Sequence, residues 1–227
     1  DYFGAQKDIK DKVLRVLHNL SFVEDPSRVL RAVRFEQRFG FRIGRLTLAL
    51  IKNAVRINVF KDLSGRRLFL ELKFVLREES PIKAIQRMAE LELLQFISPE
   101  IRLTKDMETL LEEVGKVINW YTLLYIEEPF DPWKVYWHAL TSPLSMEALR
   151  ELARSMVMHD PESRGLTSQR DGLKKLLGTL YKFSGDNHRL YTLLRPYDTE
   201  TLLYVMAKTQ SEKVRGLISG YFTHLRK

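Results

Sequence analysis

The stretch Ser21-Phe-Val-Glu-Asp-Pro-Ser-Arg-Val-Leu-Arg-Ala-Val-Arg-Phe35 joins a helix start to a regular series of arginines. Asp25 followed by Pro26 predicts a helix N-terminus, because aspartate accepts hydrogen bonds from the free amides of the first turn and proline has the φ of that turn. Apolar residues recur behind this start at helical spacing, which predicts an amphipathic helix. The other face of this helix carries an arginine stripe, Arg28, Arg31, Arg34 and Arg38.

Amphipathic segments of this kind fill most of the 227 residues and predict an all-α protein. A polar residue followed by proline opens several segments, and this signal occurs at Asp25-Pro26, Ser80-Pro81, Ser98-Pro99, Asp131-Pro132 and Asp160-Pro161. Gly40 follows one segment and predicts a helix C-cap. Residues 12–17 are rich in β-forming side chains, so they predict a short β remnant of a preceding domain at the N-terminus.

The composition favours a polyanionic partner and excludes some classes of site. The net charge is +8 and the isoelectric point is about 9.6, as is typical of proteins that contact nucleic acid. The chain has no cysteine, which excludes disulfides and cysteine-ligated zinc. Its apolar runs are too short to span a bilayer, so we expect no membrane partner. A chain without disulfides suits the reducing cytoplasm, where we expect the protein.

The charge is divided unevenly along the chain. Residues 1–77 carry a net charge of +9, residues 78–163 of −8 and residues 164–227 of +7. Two basic ends around an acidic middle are expected if the protein contacts RNA at two separate surfaces. Alternatively, the acidic residues of the middle only solvate the outer faces of helices, and the sequence does not decide between these readings.

Asp25 and Arg28 lie within one turn of the predicted helix and can point at the same place. A carboxylate accepts hydrogen bonds and a guanidinium donates them, so together they could read the edge of a nucleobase. Alternatively, Asp25 only caps the helix, which is worth about 1 kcal/mol, and Arg28 only forms a surface ion pair. The rest of the arginine stripe suits phosphate contacts and equally suits the solvated face of an ordinary helix.

Three motifs, in order along the chain, resemble those of one enzyme family. Glu24-Asp25-Pro26-Ser27-Arg28 is similar to the base-selecting motif of the class II tRNA nucleotidyltransferase and bacterial poly(A) polymerase family. Asp1-Tyr-Phe-Gly4-Ala5-Gln-Lys-Asp8-Ile9, continuing to Arg15, resembles its hinge motif, with Ala5 where the family has a second glycine. Ser64-Gly-Arg-Arg67-Leu-Phe-Leu-Glu71-Leu72 resembles its neck motif, with Arg66 in place of a glutamate.

The resemblance implies an enzyme that adds A, or CCA, to the 3′ end of tRNA without a nucleic-acid template, and the wording of the motifs leans toward the A-adding members. It assigns the nucleotide contacts to Glu24, Asp25 and Arg28, and the hinge to Asp1, Gly4, Asp8 and Arg15. Arg67 and Glu71 become a structural pair of the neck, for which an ion pair four residues apart on one helix is the default. RNA or phosphate contacts are expected at Arg31, Arg34, Arg38, Lys174, Lys175 and Arg189.

The same resemblance implies a multi-helix neck, body and tail. Residues 1–20 would be the hinge and the last part of a head domain, residues 21–78 the neck with the base-selecting motif, residues 79–160 the helical body, and residues 161–227 an RNA-binding tail. The magnesium-binding carboxylates of the family belong to the head domain, and the chain contains no Asp-x-Asp pair. We therefore expect no metal site or cofactor in this chain and no activity from it alone. The intact enzyme is expected to use Mg²⁺ and ATP, or CTP, with tRNA as its other partner.

A second reading of the sequence is a non-catalytic helical module that binds RNA or acts as a scaffold. A cluster of aromatic residues between positions 120 and 137 could stack on unpaired bases in either reading. Aromatic residues at helical spacing belong more often to a core, and we predict a core here. The tail offers further basic residues as candidate RNA contacts, among which the sequence does not choose: Lys182, Arg195, Lys208, Lys213 and Arg215.

Overall fold

The computed structural model describes residues 4–157 and 161–226, without the side chains of residues 161–165. Helices dominate this part of the chain and confirm the all-α prediction. The chain folds into two compact units. The first comprises Asp1–Leu103 and Glu151–Met158, and the second comprises Thr104–Arg150 and His159–Lys227.

Six helices and a two-stranded parallel ribbon make up the described residues of the first unit up to Leu103. The helices are α1 Ala5–Asp11, α2 Ser21–Glu24, α3 Ser27–Phe39, α4 Arg45–Arg56, α5 Gly65–Leu76 and α6 Pro81–Glu90. The strands are β1 Val13–Leu14 and β2 Arg42–Ile43, and short 3-10 turns cover Val59–Asp62 and Leu94–Phe96. The core of the unit forms where α3 packs on α5 and α6 through side chains without solvent exposure, among them Val29, Val33, Leu72, Val75, Ile85 and Met88.

The ribbon confirms the strand predicted within residues 12–17 and shows its partner. Val13 pairs with Arg42 and Leu14 with Ile43, so the partner strand follows α3 and belongs to the chain itself. Gly40 makes this return possible, because it ends α3 in the left-handed region with φ 62°, where a residue with a Cβ is strained. The predicted C-cap is therefore confirmed.

The proline start signals are confirmed at three sites. Pro26 directly precedes α3, and Pro81 is the first residue of α6. Pro132 begins α8, Pro132–Leu140. Ser98-Pro99 opens a single turn, closed by the Ile101 amide that donates to the Ser98 carbonyl at 3.0 Å, which agrees with the prediction of a helix or a helical turn. The next helix, α7 Lys105–Thr122, begins after Thr104, whose hydroxyl accepts from the Met107 amide. Asp160 lies outside the described residues.

The second unit is helical throughout its described residues. Besides α7 and α8 it contains the first part of α9 Met146–Ser155, whose residues from Glu151 on belong to the first unit. Its further helices are α10 Pro161–Asp171, α11 Leu173–Tyr181, α12 Asn187–Leu194, α13 Thr199–Lys208 and α14 Glu212–Gly220. Helix α14 continues into a π-helical turn, Tyr221–Leu225. The core lies where α7, α8 and α13 pack together. Trp133 and Trp137 are fully buried there, which confirms the core prediction for these aromatics, whereas Tyr125 is 85% exposed.

The predicted boundary between neck and body, at residues 78 and 79, stays a prediction. The first compact unit extends to Leu103, because α6 packs on α3 and α5 through buried Ala84, Ile85 and Met88. Among the described residues, no helix is long and apolar enough to cross a membrane.

Candidate nucleotide and RNA interface

Asp25 stands at the start of α3 with its carboxylate turned back onto the first helical turn. Its Oδ1 accepts a hydrogen bond from the Ser27 amide at 3.1 Å and another from the Ser27 hydroxyl at 2.6 Å. Because Asp25 itself is extended, with φ −145° and ψ 90°, the side chain can reach across Pro26. The predicted capping by Asp25 is confirmed, and Ser27 is a partner that the helix-start signal alone did not reveal.

Arg28 and Glu24 complete a polar cluster around Asp25. Arg28 Nε lies 3.7 Å from Asp25 Oδ2, and its Nη1 lies 3.8 Å from Glu24 Oε2. The same Nη1 donates weakly to the hydroxyl and carbonyl oxygens of Ser21, at 3.3 and 3.4 Å. The Arg28 side chain is 43% exposed, so part of its guanidinium fork faces solvent. The structure thus brings the three predicted nucleotide contacts together at one place.

Arg67 on α5 is a further member of this cluster. Its Nη2 donates to Asp25 Oδ2 at 2.9 Å. Glu71, one turn later on α5, instead accepts from Arg31 Nε at 2.6 Å. The expected ion pair between Arg67 and Glu71 is therefore wrong, because each side chain faces an opposite charge on α3. Both residues still connect α5 to α3 and to Asp25 at its start.

Helices α3 and α5 lie side by side and run in the same direction. Contacts between them advance together along both helices, from Asp25–Arg67 to Arg31–Glu71 and on to Arg34–Glu78 just past the end of α5. We call this line of contacts the neck seam. The arginine stripe of α3 therefore does not form a purely solvated face, since two of its members, Arg31 and Arg34, face acidic residues along the seam.

The pKa of the Asp25 carboxyl is held below its ordinary value. Partial burial raises this pKa, but the hydrogen bonds from Ser27 and the charge of Arg67 outweigh that effect and lower it. Asp25 is therefore ionised at neutral pH. An ionised carboxylate can only accept hydrogen bonds, and the exocyclic amino group of a base needs an acceptor of this kind.

The cluster leaves room for one more hydrogen bond at Asp25. A carboxylate has about four acceptor positions, and Ser27 occupies two at Oδ1 while Arg67 occupies one at Oδ2. The open position at Oδ2 lies beside the partly exposed guanidinium of Arg28. An acceptor next to a donor complements the N6 amino group and N1 of adenine, and equally the N4 amino group and N3 of cytosine.

The predicted phosphate contacts on α3 differ in their surroundings. Arg31 is held by Glu71, and Arg34 is only 14% exposed, with its guanidinium over the rings of Phe35 and Phe74. These surroundings make Arg34 less available to a ligand, and its assignment as an RNA contact stays a prediction. Arg38 remains 53% exposed, so it keeps donors for a ligand.

The hinge residues form a small structure of their own. Gly4 adopts a left-handed conformation with φ 72° directly before α1, and the residue in place of the family's second glycine, Ala5, begins that helix. Asp8 and Arg15 form an ion pair, and Asp11 lies 3.6 Å from Arg15. Asp1 lies outside the described residues.

A basic cavity in the tail brings together two of the predicted RNA contacts. Lys175 of α11 and Arg189 of α12 line a cavity of about 570 Å³, and Lys182 lies between them in sequence and also lines it. We call this the tail cluster. Gly185 also lines the cavity, and a Cβ there would lie 2.9 Å from a ring carbon of Phe183 and 3.0 Å from Cδ of Arg189, so these side chains would have to shift.

The other basic residues of the tail are less available. Arg215 donates to Glu113 at 3.0 Å and to the Thr209 carbonyl at 3.2 Å, so it joins α14 to α7. Lys174 is exposed but does not line the cavity. The sequence could not separate these residues, because their distinction depends on how the tail helices fold together.

The described residues offer no ligand set for a metal ion. No group of three or more His, Cys, Asp or Glu side chains among them could hold one. The residues present therefore do not fit the Mg²⁺ expected for the intact enzyme, and we assign no chemical step of this chain to it.

Comparisons with known proteins show which proteins the chain is similar to in sequence and fold. Residues 40–104 match the family described as "Probable RNA and SrmB-binding site of polymerase A". An A-adding tRNA nucleotidyltransferase of Geobacter sulfurreducens is 46% identical over 231 residues that cover the whole chain. The chain belongs to the tRNA nucleotidyltransferase family. The resemblance to this family that the sequence indicated is confirmed.

Two further tRNA nucleotidyltransferases extend the match. The A-adding enzyme of Aquifex aeolicus is 33% identical over the whole chain. A solved tRNA nucleotidyltransferase in complex with a primer tRNA and an incoming ATP analog is 33% identical, with a TM-score of 0.83 over the whole chain. The chain spans 26% and 27% of the length of the two A-adding relatives and 65% of the solved chain.

Proposed function

We propose that this chain selects the incoming base and holds the RNA in an enzyme that adds A to the 3′ end of tRNA. The observation that carries the proposal is the cluster at the start of α3, where an open acceptor position of Asp25 lies beside the partly exposed Arg28. The names of the two A-adding relatives and the tRNA and ATP analog of the solved relative support it.

In this proposal each residue of the cluster has its own task. Asp25 accepts a hydrogen bond from the exocyclic amino group of the base, and Arg28 donates to the adjacent ring nitrogen. Arg67 and Ser27 hold the carboxylate in place from two sides, at 2.9 and 2.6 Å. Guanine and uracil present a carbonyl where adenine and cytosine present the amino group, so both would face the Asp25 carboxylate with an acceptor and be rejected.

The tail cluster supplies the second surface. Lys175, Lys182 and Arg189 line its cavity without an acidic neighbour among the lining residues. Such a site suits a phosphate of the RNA backbone, which fixes position without reading sequence. The intact enzyme would use ATP, or CTP as well if it adds CCA, together with Mg²⁺ held outside the described residues. A cytoplasmic location stays a prediction.

Binding experiments on this chain test the proposal in two steps. The first compares full-length tRNA with an unrelated RNA hairpin at about 50 and 200 mM salt, where contacts to several phosphates predict a steep loss of affinity. The second measures calorimetric binding of the four nucleoside triphosphates to the chain. We expect ATP to bind more tightly than GTP or UTP, and CTP to bind like ATP only if the site reads both bases.

Variants show whether the cluster produces this preference. Asp25→Ala and Arg28→Ala should remove the preference for ATP, while Arg66→Ala, an exposed arginine beside Arg67, should keep it. A wild-type chain without base preference, or variants that retain it, would contradict base selection. Preferential tRNA binding without base preference would instead favour the non-catalytic RNA-binding module.

A further inference from the structure

The far end of the neck seam holds a second cavity. It has a volume of about 500 Å³ and opens between the last turns of α3 and α5 and the first turn of α6. Arg38 and Phe39 line it from α3, Phe74 from α5 and Lys83 from α6. Arg28 and Arg38 are ten residues apart on α3, so at about 1.5 Å per residue the cavity lies about 15 Å from the base-selecting cluster.

The cavity is positively charged. Four cationic side chains line it, Arg34, Arg38, Arg77 and Lys83, against the two acids Glu78 and Glu79. Glu78 is shared, since its Oε1 lies 3.6 Å from Arg34 Nη1 and 3.7 Å from Arg38 Nη1. Both distances exceed a hydrogen bond, so Glu78 offsets the charge of the two guanidiniums without saturating their donors.

One donor in the wall of the cavity is buried without an acceptor. Arg34 Nε has no hydrogen-bond partner within the described part of the chain, although the atom is shielded from solvent. An unsatisfied buried donor costs free energy unless a partner arrives. The excess of cationic side chains in the lining indicates an anionic occupant, and the unsatisfied Arg34 donor adds to the positive charge of the wall.

The same cavity exposes two aromatic rings. Phe39 is 53% exposed and Phe74 is 43% exposed, next to the charged residues. The Arg34 guanidinium lies 5.1 Å from the centre of the Phe74 ring and 4.8 Å from that of Phe35, so it supports the ring from one side. A flat ring supported by an arginine and bordered by cations is the combination that holds single-stranded nucleic acid.

We propose that this neck cavity binds an unpaired nucleotide of the RNA substrate, with its base stacked on Phe74 and its phosphate held by Arg38 and Lys83. The occupant is unpaired because a base within a duplex does not offer its face to a side chain. Its base differs from the base read by Asp25 and Arg28, since the two places lie about 15 Å apart along α3, several times the spacing of about 3.4 Å between stacked bases. The inference rests on the proposed RNA-binding function and gives that function a second position.

The test measures binding of the whole chain to two probes, a short single-stranded RNA ending in CC and a blunt RNA duplex. Phe74→Ala should weaken binding of the single strand about tenfold and leave binding of the duplex unchanged. Phe74→Leu keeps an apolar side chain without a stacking face and should lose nearly as much. Leu70→Ala is the matched control, because Leu70 lies one turn earlier on α5 and is also 43% exposed.

Two readouts separate stacking from a general disturbance of the fold. A 2-aminopurine in the single strand should be quenched on binding to the wild-type chain and to Leu70→Ala, but not to Phe74→Ala. Lys83→Ala should reduce the slope of log affinity against log salt by about one phosphate contact. A structural role of these exposed residues would produce neither change.

The outcomes distinguish the two proposals. If the wild-type chain binds neither tRNA nor the single strand, the proposed function fails, and the cavity proposal fails with it. If the wild-type chain binds RNA but Phe74→Ala and Lys83→Ala bind like the wild type, only the cavity proposal is overturned. Equal losses for the single strand and the duplex would also overturn it.

Discussion

The Asp25 carboxylate holds two Ser27 hydrogen bonds and the Arg67 pair at once, so its removal has a calculable effect on the stability of the neck. Loss of an aspartate that caps a helix costs about 1 kcal/mol. The pair with Arg67 contributes less than about 1 kcal/mol, because the Arg67 side chain is half exposed. We therefore expect Asp25→Ala to lower the free energy of unfolding of the first unit by about 1 to 2 kcal/mol.

Asp25→Asn separates the two contributions. The amide oxygen of asparagine still accepts from the Ser27 amide, so the cap is largely kept. The charge that attracts Arg67 is lost, so this variant should lose only the smaller part of the free energy. Arg67→Met should lose a similar amount, and the double variant should lose less than the sum if the two residues interact directly.

Urea unfolding followed by far-ultraviolet circular dichroism measures these differences. All three tryptophans lie in the second unit, so tryptophan fluorescence serves as an internal reference that should not change. Because the pKa of Asp25 is lowered in the folded state, the stabilisation by its charge is present above about pH 4 and lost as the pH falls through the folded-state pKa. Equal stabilities of wild type and Asp25→Ala at pH 7 would refute this reasoning, as would a difference that does not shrink in acid.

Three further predictions concern stability. Glu36→Ala leaves the Ile43 amide without its acceptor, at 2.9 Å, and leaves Arg87, which donates to Glu36 at 2.8 Å, with Glu90 as its remaining partner. The variant should cost about 3 kcal/mol in urea unfolding, and a loss below 1 kcal/mol would contradict this. Gly40→Ala should lower the melting temperature by a few degrees, since the left-handed position costs about 1 kcal/mol for alanine although no atom obstructs its Cβ. Burial lowers the pKa of His138 to about 4, so the second unit should lose stability as the pH falls from about 6.5 towards 4. Urea unfolding at several pH values would show this loss, and a stability that does not change with pH would disprove it.

The parts of the neck that could be predicted are those encoded within a few residues. The start of α3, its end at Gly40 and the convergence of Asp25 with Arg28 all depend on neighbours one turn away. The contacts of Arg67 and Glu71 could not be predicted, because they depend on how α5 lies against α3, about forty residues earlier. The expectation that residues four apart on one helix pair with each other therefore predicted the wrong partners for Arg67 and Glu71.

The same limit applies to the ribbon and the tail. The β-forming residues predicted β1, whereas its partner β2 depends on the return of the chain after α3. In the tail, Lys175 and Arg189 line one cavity because the chain turns between α11 and α12, in the loop that contains Gly185. Composition indicated a basic tail, but only the three-dimensional arrangement separates residues that line a cavity from residues such as Arg215, which is engaged with Glu113.

Because α3 and α5 run in the same direction, the contacts along the neck seam hold the two helices in a fixed register. Asp25–Arg67 marks one end and Arg34–Glu78 the other, so the helices cannot slide along each other without breaking both pairs. Under the two proposals above, the protein would therefore fix the distance between the base at Asp25 and the nucleotide in the neck cavity. In the proposed function, the position of the RNA end would then be compared with a distance set by the protein and not by a template strand.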